Sequence, residues 1–254
     1  MLNRISGITI KSDKEINYMR EAGTIIAEIM QVIELAIEPG ITTAELDKIS
    51  RKEIKLRNVE PAFLGLYGFP ATICVSINEE IVHGIPSERK LKHGDIISVD
   101  AGVIVEGFYS DHAKTFPVGD CIEADLKLIS DTSESLSLAI QSCINKNHVG
   151  DIGNTIENYV SPLGYGLVRN YTGHGIGKAL HEPPQVPNFG EQNSGIKLVP
   201  GMTIAVEPMV NLGSDDTKLC DDSWTVVTSD GAKSAHFEHT ILITEDLPEI
   251  LTSI

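Results

Sequence analysis

Two aspartates flank a candidate hairpin turn in the run VDAGVIVEGFYSDHAKTF, residues 99–116. Glu106-Gly107 suits a two-residue β-turn, and counting outward from it places Gly102 opposite Asp111. Asp100 lies two residues before Gly102 and therefore points to the same face of the sheet. The two aspartates are then diagonal neighbours, about 7–8 Å apart. Such carboxylates repel each other unless a cation lies between them, although a solvent-exposed sheet face would also accommodate both.

Two glutamates lie in apolar stretches later in the chain. Glu207 ends the run MTIAVE, and Pro208 keeps it extended. Glu238 lies inside HFEHTILIT. A lone glutamate in a strand is usually exposed, but apolar neighbours on both sides favour burial, and a buried carboxylate needs a partner. With His174, the four acids offer five hard ligands, whose charge suits two divalent ions about 3.5–4 Å apart better than one.

Two histidines lie seven residues apart in NYTGHGIGKALHE, residues 170–182. Seven residues are about two helical turns, but each of the three glycines in this stretch would cost about 1 kcal/mol inside a helix. A phosphate-binding loop is also excluded, because Gly177-Lys178 is followed by Ala179 rather than by Ser or Thr. The pattern predicts a loop whose glycines bring the backbone close to other groups and which presents His174 and His181 separately.

Composition and charge exclude several classes of function. The chain has 254 residues, 41% of them hydrophobic, which is enough for one large core or two small domains. Its net charge is −16 and no basic stripe is evident, which argues against binding to DNA or other nucleic acids. The apolar runs are too short for a membrane span, and the N-terminus lacks the apolar stretch of a signal peptide. Four scattered cysteines without a CxxC motif indicate reduced thiols and a cytoplasmic protein.

The elements that must position these residues alternate between helices and strands. Candidate capping boxes at residues 12–15 and 42–45 predict a helix that ends before Pro39-Gly40 and another that ends near Leu56. Further helices are predicted over 123–146 and, capped by Asp151, over 152–160. Strands are predicted over 71–82, 95–105, 108–118, 202–210, 223–229 and 236–244. No linker divides the chain, so we expect one α+β domain, residues 1–254, with two similar halves at about 1–120 and 121–254.

Taken together, five segments resemble the type I methionine aminopeptidases of peptidase family M24 over essentially the whole chain. They are NEEIVHGIP, GDIISVDAGVIVEGFYSDHAKTF, YTGHGIGKALHEPPQVPNFG, GMTIAVEPMVN and SAHFEHTILIT. The resemblance implies the pita-bread fold, in which two pseudo-symmetric halves with curved antiparallel sheets, covered by helices, cradle a dinuclear metal site. It also implies that the metal ligands are Asp100, Asp111, His174, Glu207 and Glu238.

The same resemblance implies a mechanism. Asp111 and Glu238 would bridge two divalent ions, and Glu207 would also manage the proton of a bridging water. That water, as hydroxide, attacks the first peptide bond and so removes the N-terminal methionine of nascent proteins. His83 and His181 match the two histidines that touch substrate, His181 by donating to the scissile carbonyl. The donor set suits Fe(II), Mn(II), Co(II) or Zn(II) alike.

A pocket for the methionine side chain follows from the resemblance as well. Its apolar lining suits a thioether, although the same residues could form ordinary core. Leu66 and Phe69 stand where tyrosines are common in the family, and Phe63 replaces a smaller residue. The implied pocket residues are Phe63, Leu66, Phe69, Cys74, Leu180 and Trp224.

The lengths of two segments indicate which subtype of methionine aminopeptidase the chain resembles. Type II enzymes carry a long insertion, but none separates Glu207 from Glu238 here. Eukaryotic type I forms have a Cys/His-rich N-terminal extension, but none precedes Ser12. A compact bacterial-like enzyme is therefore expected, monomeric and transiently associated with the ribosome. The rivals are a proline-directed peptidase (aminopeptidase P or prolidase), which usually has a separate N-terminal domain, and a non-catalytic binding protein, which would have lost ligands and gained basic patches.

Overall fold

The structure is a computed structural model that describes residues 3–5 and 7–254. Its α-helices are α1 Asp13–Ala36, α2 Thr43–Leu56, α3 Glu123–Gln141 and α4 Val149–Val160, with 3₁₀ turns at Leu66–Gly68 and Ser161–Leu163. The strands before α3 are β1 Asn3–Ile5, β2 Ile8–Ile10, β3 Glu60–Pro61, β4 Ile73–Ile77, β5 Glu80–Val82, β6 Ile96–Ala101, β7 Val103–Val105, β8 Phe108–Tyr109 and β9 His112–Pro117. Those after α4 are β10 Gly166–Leu167, β11 Gly173–Gly175, β12 Glu182–Val186, β13 Thr203–Val206, β14 Met209–Asn211, β15 Thr217–Leu219, β16 Val226–Thr228, β17 Ser234–His236, β18 Glu238–Leu242 and β19 Glu249–Ile250.

Both capping boxes predicted for the first two helices are confirmed. The Glu15 carboxylate accepts from the backbone N–H of Ser12 at 2.9 Å. At α2 the exchange is reciprocal, because Thr42 N–H donates to Glu45 at 2.8 Å and Glu45 N–H donates to the Thr42 hydroxyl at 3.1 Å. Satisfying these otherwise unpaired N–H groups fixes where each helix begins.

The second pair of helices differs from the sequence expectation at its ends. α3 stops at Gln141 rather than near residue 146, because the chain turns back and Lys146 adopts a φ of 81°. α4 begins at Val149, three residues earlier than expected. Asp151 is therefore not the residue before the helix. It lies in the first turn, as the N3 residue of a capping box whose N-cap is His148. Its carboxylate accepts from the N–H of His148 at 2.6 Å.

Five of the six predicted strands are broken in two, and the sixth is shortened to β16. The breaks separate β4 from β5, β6 from β7, β8 from β9, β13 from β14, and β17 from β18. All five breaks have a common cause: one part of the strand pairs in a large eight-stranded sheet and the other in a small three-stranded sheet. A sequence pattern of period two continues across such a break and does not reveal it.

The sheet order shows two pseudo-symmetric halves. The eight-stranded antiparallel sheet runs β12-β11-β13-β18-β9-β6-β4, with β19 on the side of β18. The small sheet β3-β7-β8 extends the β6/β9 pair, and the small sheet β10-β14-β17 extends the β13/β18 pair in the same way. The halves meet where β18 pairs with β9. Helices α1 and α2 cover one apolar core, and α3 and α4 cover the other. The α+β fold class is confirmed.

One surface departs from the acidic average. Helix α2 exposes four basic side chains at helical spacing, Lys48, Arg51, Lys52 and Lys55. The sequence expectation that no basic stripe is present is wrong for this helix, because the net charge of −16 hides it.

The four cysteines are free, as expected. Within the described part of the chain, the helices lack the combined length and apolarity that a membrane crossing requires.

Candidate metal centre

The register of the central hairpin is the one counted from the sequence. Val105 pairs with Phe108 beside the turn, and Asp100 pairs with Ala113 further along the same two strands. This register places Asp111 opposite residue 102, two positions from Asp100. The prediction that the two aspartates are diagonal neighbours on one face is confirmed.

Gly102 makes the hairpin geometry possible. A Cβ atom at this position would lie 2.4 Å from the carbonyl oxygen of Ser110 and 2.9 Å from the Cβ of Ala62. No side chain fits into that space, so only glycine lets the chain pass between β6 and β7 here. The Ser110 hydroxyl, which donates to the Ala22 carbonyl at 3.1 Å, ties the same point to α1.

The carboxylates lie where strands change sheets. Asp111 lies between β8 and β9, immediately before β9 begins. Glu207 lies between β13 and β14, and Glu238 is the first residue of β18. His174 comes from β11, beside β13. Four separate segments, one from the first half and three from the second when Asp100 is grouped with Asp111, therefore converge on one point.

The converging atoms have metal-ligand spacing. Asp111, His174 and Glu238 each offer one ligand atom, and these atoms lie within 4.8 Å of one another. His174 Nε2 is 3.8 Å from Asp111 Oδ2 and 3.6 Å from Glu207 Oε1. Its Nδ1–H donates to the carbonyl of Gly175 at 2.9 Å, which leaves Nε2 free to act as a ligand.

Burial strongly perturbs these groups. It raises the pKa of Asp100 to about 7 and the pKa values of Asp111, Glu207 and Glu238 well above their usual range, an effect that their mutual repulsion reinforces. Burial lowers the pKa of His174 to about 4, so its imidazole is neutral near pH 7. Four crowded acids that resist ionisation are an unfavourable arrangement unless positive charge is supplied.

The cleft above these ligands has a volume of about 150 Å³. All thirteen site residues named from the sequence line it. We call the five proposed ligands the floor: Asp100, Asp111, His174, Glu207 and Glu238. We call the six apolar pocket residues the wall: Phe63, Leu66, Phe69, Cys74, Leu180 and Trp224. His83 and His181 line the same cleft, and His181 contacts the floor residue His174.

Packing holds the wall together. Phe69 and Trp224 meet edge to face with ring centroids 5.1 Å apart. Cys74 lies on β4 directly opposite Asp100 on β6, so the wall begins at the edge of the floor. Phe63, Phe69 and Leu180 are buried. The result is an apolar recess beside a polar centre.

Sequence reasoning missed two residues at this site. Tyr67 also lines the cleft, 78% exposed, with its ring 6.2 Å from that of His181 at an interplanar angle of 10°. Its position between two glycines in GLYG was the available signal. His236 is buried, and its Nε2 lies 3.7 Å from Glu207 Oε2. An isolated histidine two residues before Glu238 gave no reason to place it there.

The two other histidines, His83 and His181, differ in what places them. His83 has a left-handed φ of 62°, which is uncommon for a residue other than glycine. The ring of His181 meets that of His174 edge to face at 4.5 Å. Burial lowers the pKa of His83 to about 4 and also lowers the pKa of His181. Both imidazoles are therefore neutral near pH 7 and can donate one hydrogen bond each.

Comparison with known proteins agrees with this arrangement. The sequence model of metallopeptidase family M24 matches residues 17–245. The chain belongs to metallopeptidase family M24. This M24 chain is 50% identical to a methionine aminopeptidase of Clostridium acetobutylicum over 246 residues, which cover 96% of the chain and 98% of that relative. It is 48% identical to methionine aminopeptidase 1 of Bacillus subtilis, with 97% and 100% covered.

Solved structures show the same fold. A methionine aminopeptidase from Thermotoga maritima superposes with a TM-score of 0.96 at 42% identity and covers 97% of the M24 chain and 100% of its own. A prolidase from Pyrococcus horikoshii gives a TM-score of 0.79 at 24% identity, with 96% of this chain but only 63% of that one covered. The latter likeness concerns the fold alone. The M24 chain has the pita-bread fold.

Membership of a metallopeptidase family implies a divalent metal, and the floor fits one. Three buried carboxylate oxygens in the described residues have no hydrogen-bond partner: Asp100 Oδ1, Asp111 Oδ1 and Glu238 Oε1. Buried polar atoms without partners are rare and costly. Oxygen donors with one imidazole form the ligand set expected for a first-row divalent ion. A cation bound here would satisfy these oxygens and offset the repulsion among the acids.

Proposed function

We propose that this protein is a methionine aminopeptidase that removes the N-terminal methionine from newly made proteins. The observation that carries the proposal is the junction of floor and wall in one cleft, within a chain about half identical, end to end, to proteins of that name. The floor offers a hydrolytic centre. The wall offers a recess of the right chemistry for one thioether side chain.

The floor residues Asp100, Asp111, His174, Glu207 and Glu238 would together hold two divalent ions. When bound, such ions supply Lewis acidity, which makes hydroxide available near neutral pH and polarises a carbonyl. Four carboxylates would leave a single ion with excess negative charge, which favours two. Iron(II), manganese(II), cobalt(II) and zinc(II) all suit the donor set.

The residues of the chain supply the remaining steps. Glu207, 3.6 Å from His174 through Oε1, accepts the proton of the attacking water and passes it to the leaving amine. His181, neutral and beside His174, donates a hydrogen bond to the carbonyl oxygen as charge develops on it. His83, which lines the same cleft as His181, contacts the substrate. The wall holds the methionine side chain and excludes water from it.

One assay tests the class of reaction. We expect hydrolysis of Met-Ala-Ser, full loss of activity with a chelator and recovery on addition of divalent metal. Peptides of the form Xaa-Pro should be cleaved slowly or not at all, because the wall selects the first side chain and nothing in the described cleft is built to recognise proline. Preferential cleavage of Xaa-Pro would instead identify a proline-directed peptidase with the same floor.

We further propose that the chain acts as a monomeric single catalytic domain in the cytoplasm, with transient ribosome contact. Each half contributes ligands to the floor, so neither half could act alone. The basic stripe of α2 offers a surface for the phosphates of structured RNA. Sedimentation with ribosomes should weaken at higher salt and in the Lys48→Glu, Lys52→Glu, Lys55→Glu triple variant. Unchanged sedimentation of that variant would remove α2 as the contact.

A further inference from the structure

A buried ion pair lies directly behind the loop that carries His181. Lys11 Nζ donates to Glu182 Oε2 at 2.9 Å, and the two side chains are only 3% and 14% exposed. Lys11 follows β2 and precedes α1 in the first half, whereas Glu182 opens β12 in the second. The pair therefore connects parts of the chain 171 positions apart, and Glu182 is next to His181 in the sequence.

The Glu182 carboxylate also organises the loop itself. Its Oε1 accepts from the backbone N–H of Lys178 at 2.7 Å and from that of Ala179 at 3.2 Å. One carboxylate thus fixes the turn immediately before Leu180 and His181. Both of its oxygens are used, one by the loop and one by Lys11.

Gly177 shows how closely the loop lies on the ion pair. A Cβ atom there would be 2.6 Å from Lys11 Cε and 2.7 Å from Glu182 Oε1. The backbone around Gly177 is further held because its carbonyl accepts from Tyr109 N–H at 2.8 Å. The loop therefore cannot shift without breaking the pair or separating from it.

We propose that Lys11 and Glu182 are positioning residues that hold His181 over the reacting bond. Removing one partner of a buried pair leaves an uncompensated charge, and the loop then moves so that water can reach that charge. The His181 ring is met by ring contacts with His174 and with the exposed Tyr67. Its backbone, in contrast, follows the turn that the Glu182 carboxylate holds by hydrogen bonds. The proposal relies on the proposed function for what His181 does, but not for where it is held.

The kinetic test uses Lys11→Met, which removes the cation but keeps most of the volume. We expect kcat on Met-Ala-Ser to fall about tenfold, the usual scale for an outer-shell partner, with little change in KM and unchanged metal content. In the His181→Ala background the same substitution should cause no further loss, because its effect passes through His181. Additive losses in the two variants would overturn the proposal.

The Glu182→Gln variant sharpens this test. It leaves Lys11 buried without a counter-charge, whereas Lys11→Met/Glu182→Gln leaves no unpaired charge and retains an oxygen for the two loop amides. We expect the double variant to be more active than Glu182→Gln alone. A double variant no better than the single one would contradict an electrostatic tether. Lys127→Met, which breaks an exposed pair with Asp131 on α3, is the matched control and should retain wild-type kcat.

A second readout does not depend on activity. In Lys11→Met, the amides of Lys178 and Ala179 should exchange hydrogen at least about tenfold faster than in Lys127→Met, and the His181 ring signals should shift. If the wild-type protein cleaves no methionyl peptide, the proposed function fails while faster exchange would still support the tether. Unchanged exchange and unchanged ring signals in Lys11→Met would overturn the tether whatever the activity.

Discussion

The floor and the wall of the cleft reach their positions by different physical routes. Floor residues are fixed by strand pairing, since β9, next to Asp111, pairs with both β6 and β18, which carry Asp100 and Glu238. Wall residues come mainly from the turn between β3 and β4, together with Leu180 and Trp224 from loops. They are held by apolar packing, such as that of Phe69 on Trp224.

The energetics of the two regions differ as well. The wall is complete in itself, because its apolar side chains pack against one another. The floor is not, because its acids are buried, mutually repulsive and partly without hydrogen-bond partners. Changes to the floor should therefore appear in metal binding, and changes to the wall in the recognition of substrate. The following variants test that separation.

The largest effect is expected from the floor itself. Glu238→Gln keeps the shape of the side chain but removes one charge from the cluster, so metal affinity should fall on the order of 1,000-fold, equivalent to about 4 kcal/mol. Titration calorimetry measures the affinity, and activity should disappear with the metal. Glu249→Gln, on the neighbouring β19, is the control and should bind metal normally. Full metal binding by Glu238→Gln would place the metal elsewhere.

His181→Ala tests the boundary between floor and substrate. We expect turnover to fall roughly 100- to 1,000-fold, the scale for one oxyanion donor, with the metal content unchanged. His93→Ala removes an exposed imidazole, 68% accessible, and should leave turnover unaltered. Loss of metal in His181→Ala would show that this histidine belongs to the floor.

The relation between two floor residues, Asp100 and Asp111, was predictable from the sequence because strand geometry obeys simple counting. One turn at Glu106-Gly107 set the register, and the register set the relation between Asp100 and Asp111. Capping boxes likewise fixed the starts of the first two helices. Each of these rules acts within a few residues of the signal, so no knowledge of the tertiary structure is required.

The parts that escaped prediction depend on contacts across the fold. The strand breaks at Gly102 and Glu207 occur where the chain leaves the large sheet and enters a small one. The apolar pattern of the sequence continues across these points and does not reveal them. The pairing of Lys11 with Glu182 spans 171 positions. Tyr67 reaches the cleft because the turn around it bends at left-handed glycines, Gly65 and Gly68. The wall itself could be located only through resemblance, because apolar side chains look alike in a pocket and in a core.

Within the wall, Trp224→Ala should raise KM for Met-Ala-Ser about tenfold with kcat nearly unchanged. The indole contributes apolar contact to the bound side chain in ground and transition states alike. Tyr67→Ala is the comparison inside the same region, and its exposed ring should matter only about two- to threefold. Metal content should be normal in both variants. A loss of metal in Trp224→Ala would mean that floor and wall are not energetically separate.

The smallest effect concerns the stability of the metal-free protein. Burial raises the pKa of Asp100 to about 7, and the pKa values of Asp111, Glu207 and Glu238 well above their usual range, whereas in the unfolded chain all four titrate near 4. At pH 7 Asp100 is therefore about half protonated in the folded state but ionised in the unfolded state, so the free energy of unfolding falls as pH rises through 7. The buried histidines do not oppose this trend, because their lowered pKa values leave them neutral in both states above pH 7.

The direction of this pH dependence can be measured by thermal unfolding of the chelated and the metal-loaded protein at pH 7 and pH 8.5. We expect Tm of the chelated protein to fall on the order of 5 °C between these values and that of the loaded protein to fall less, since bound cations replace the lost protons. The gap between the two forms should thus widen with pH. If the difference in Tm between the two forms narrowed instead, the floor acids would already be ionised without metal. The floor would then be no less stable by itself than the wall.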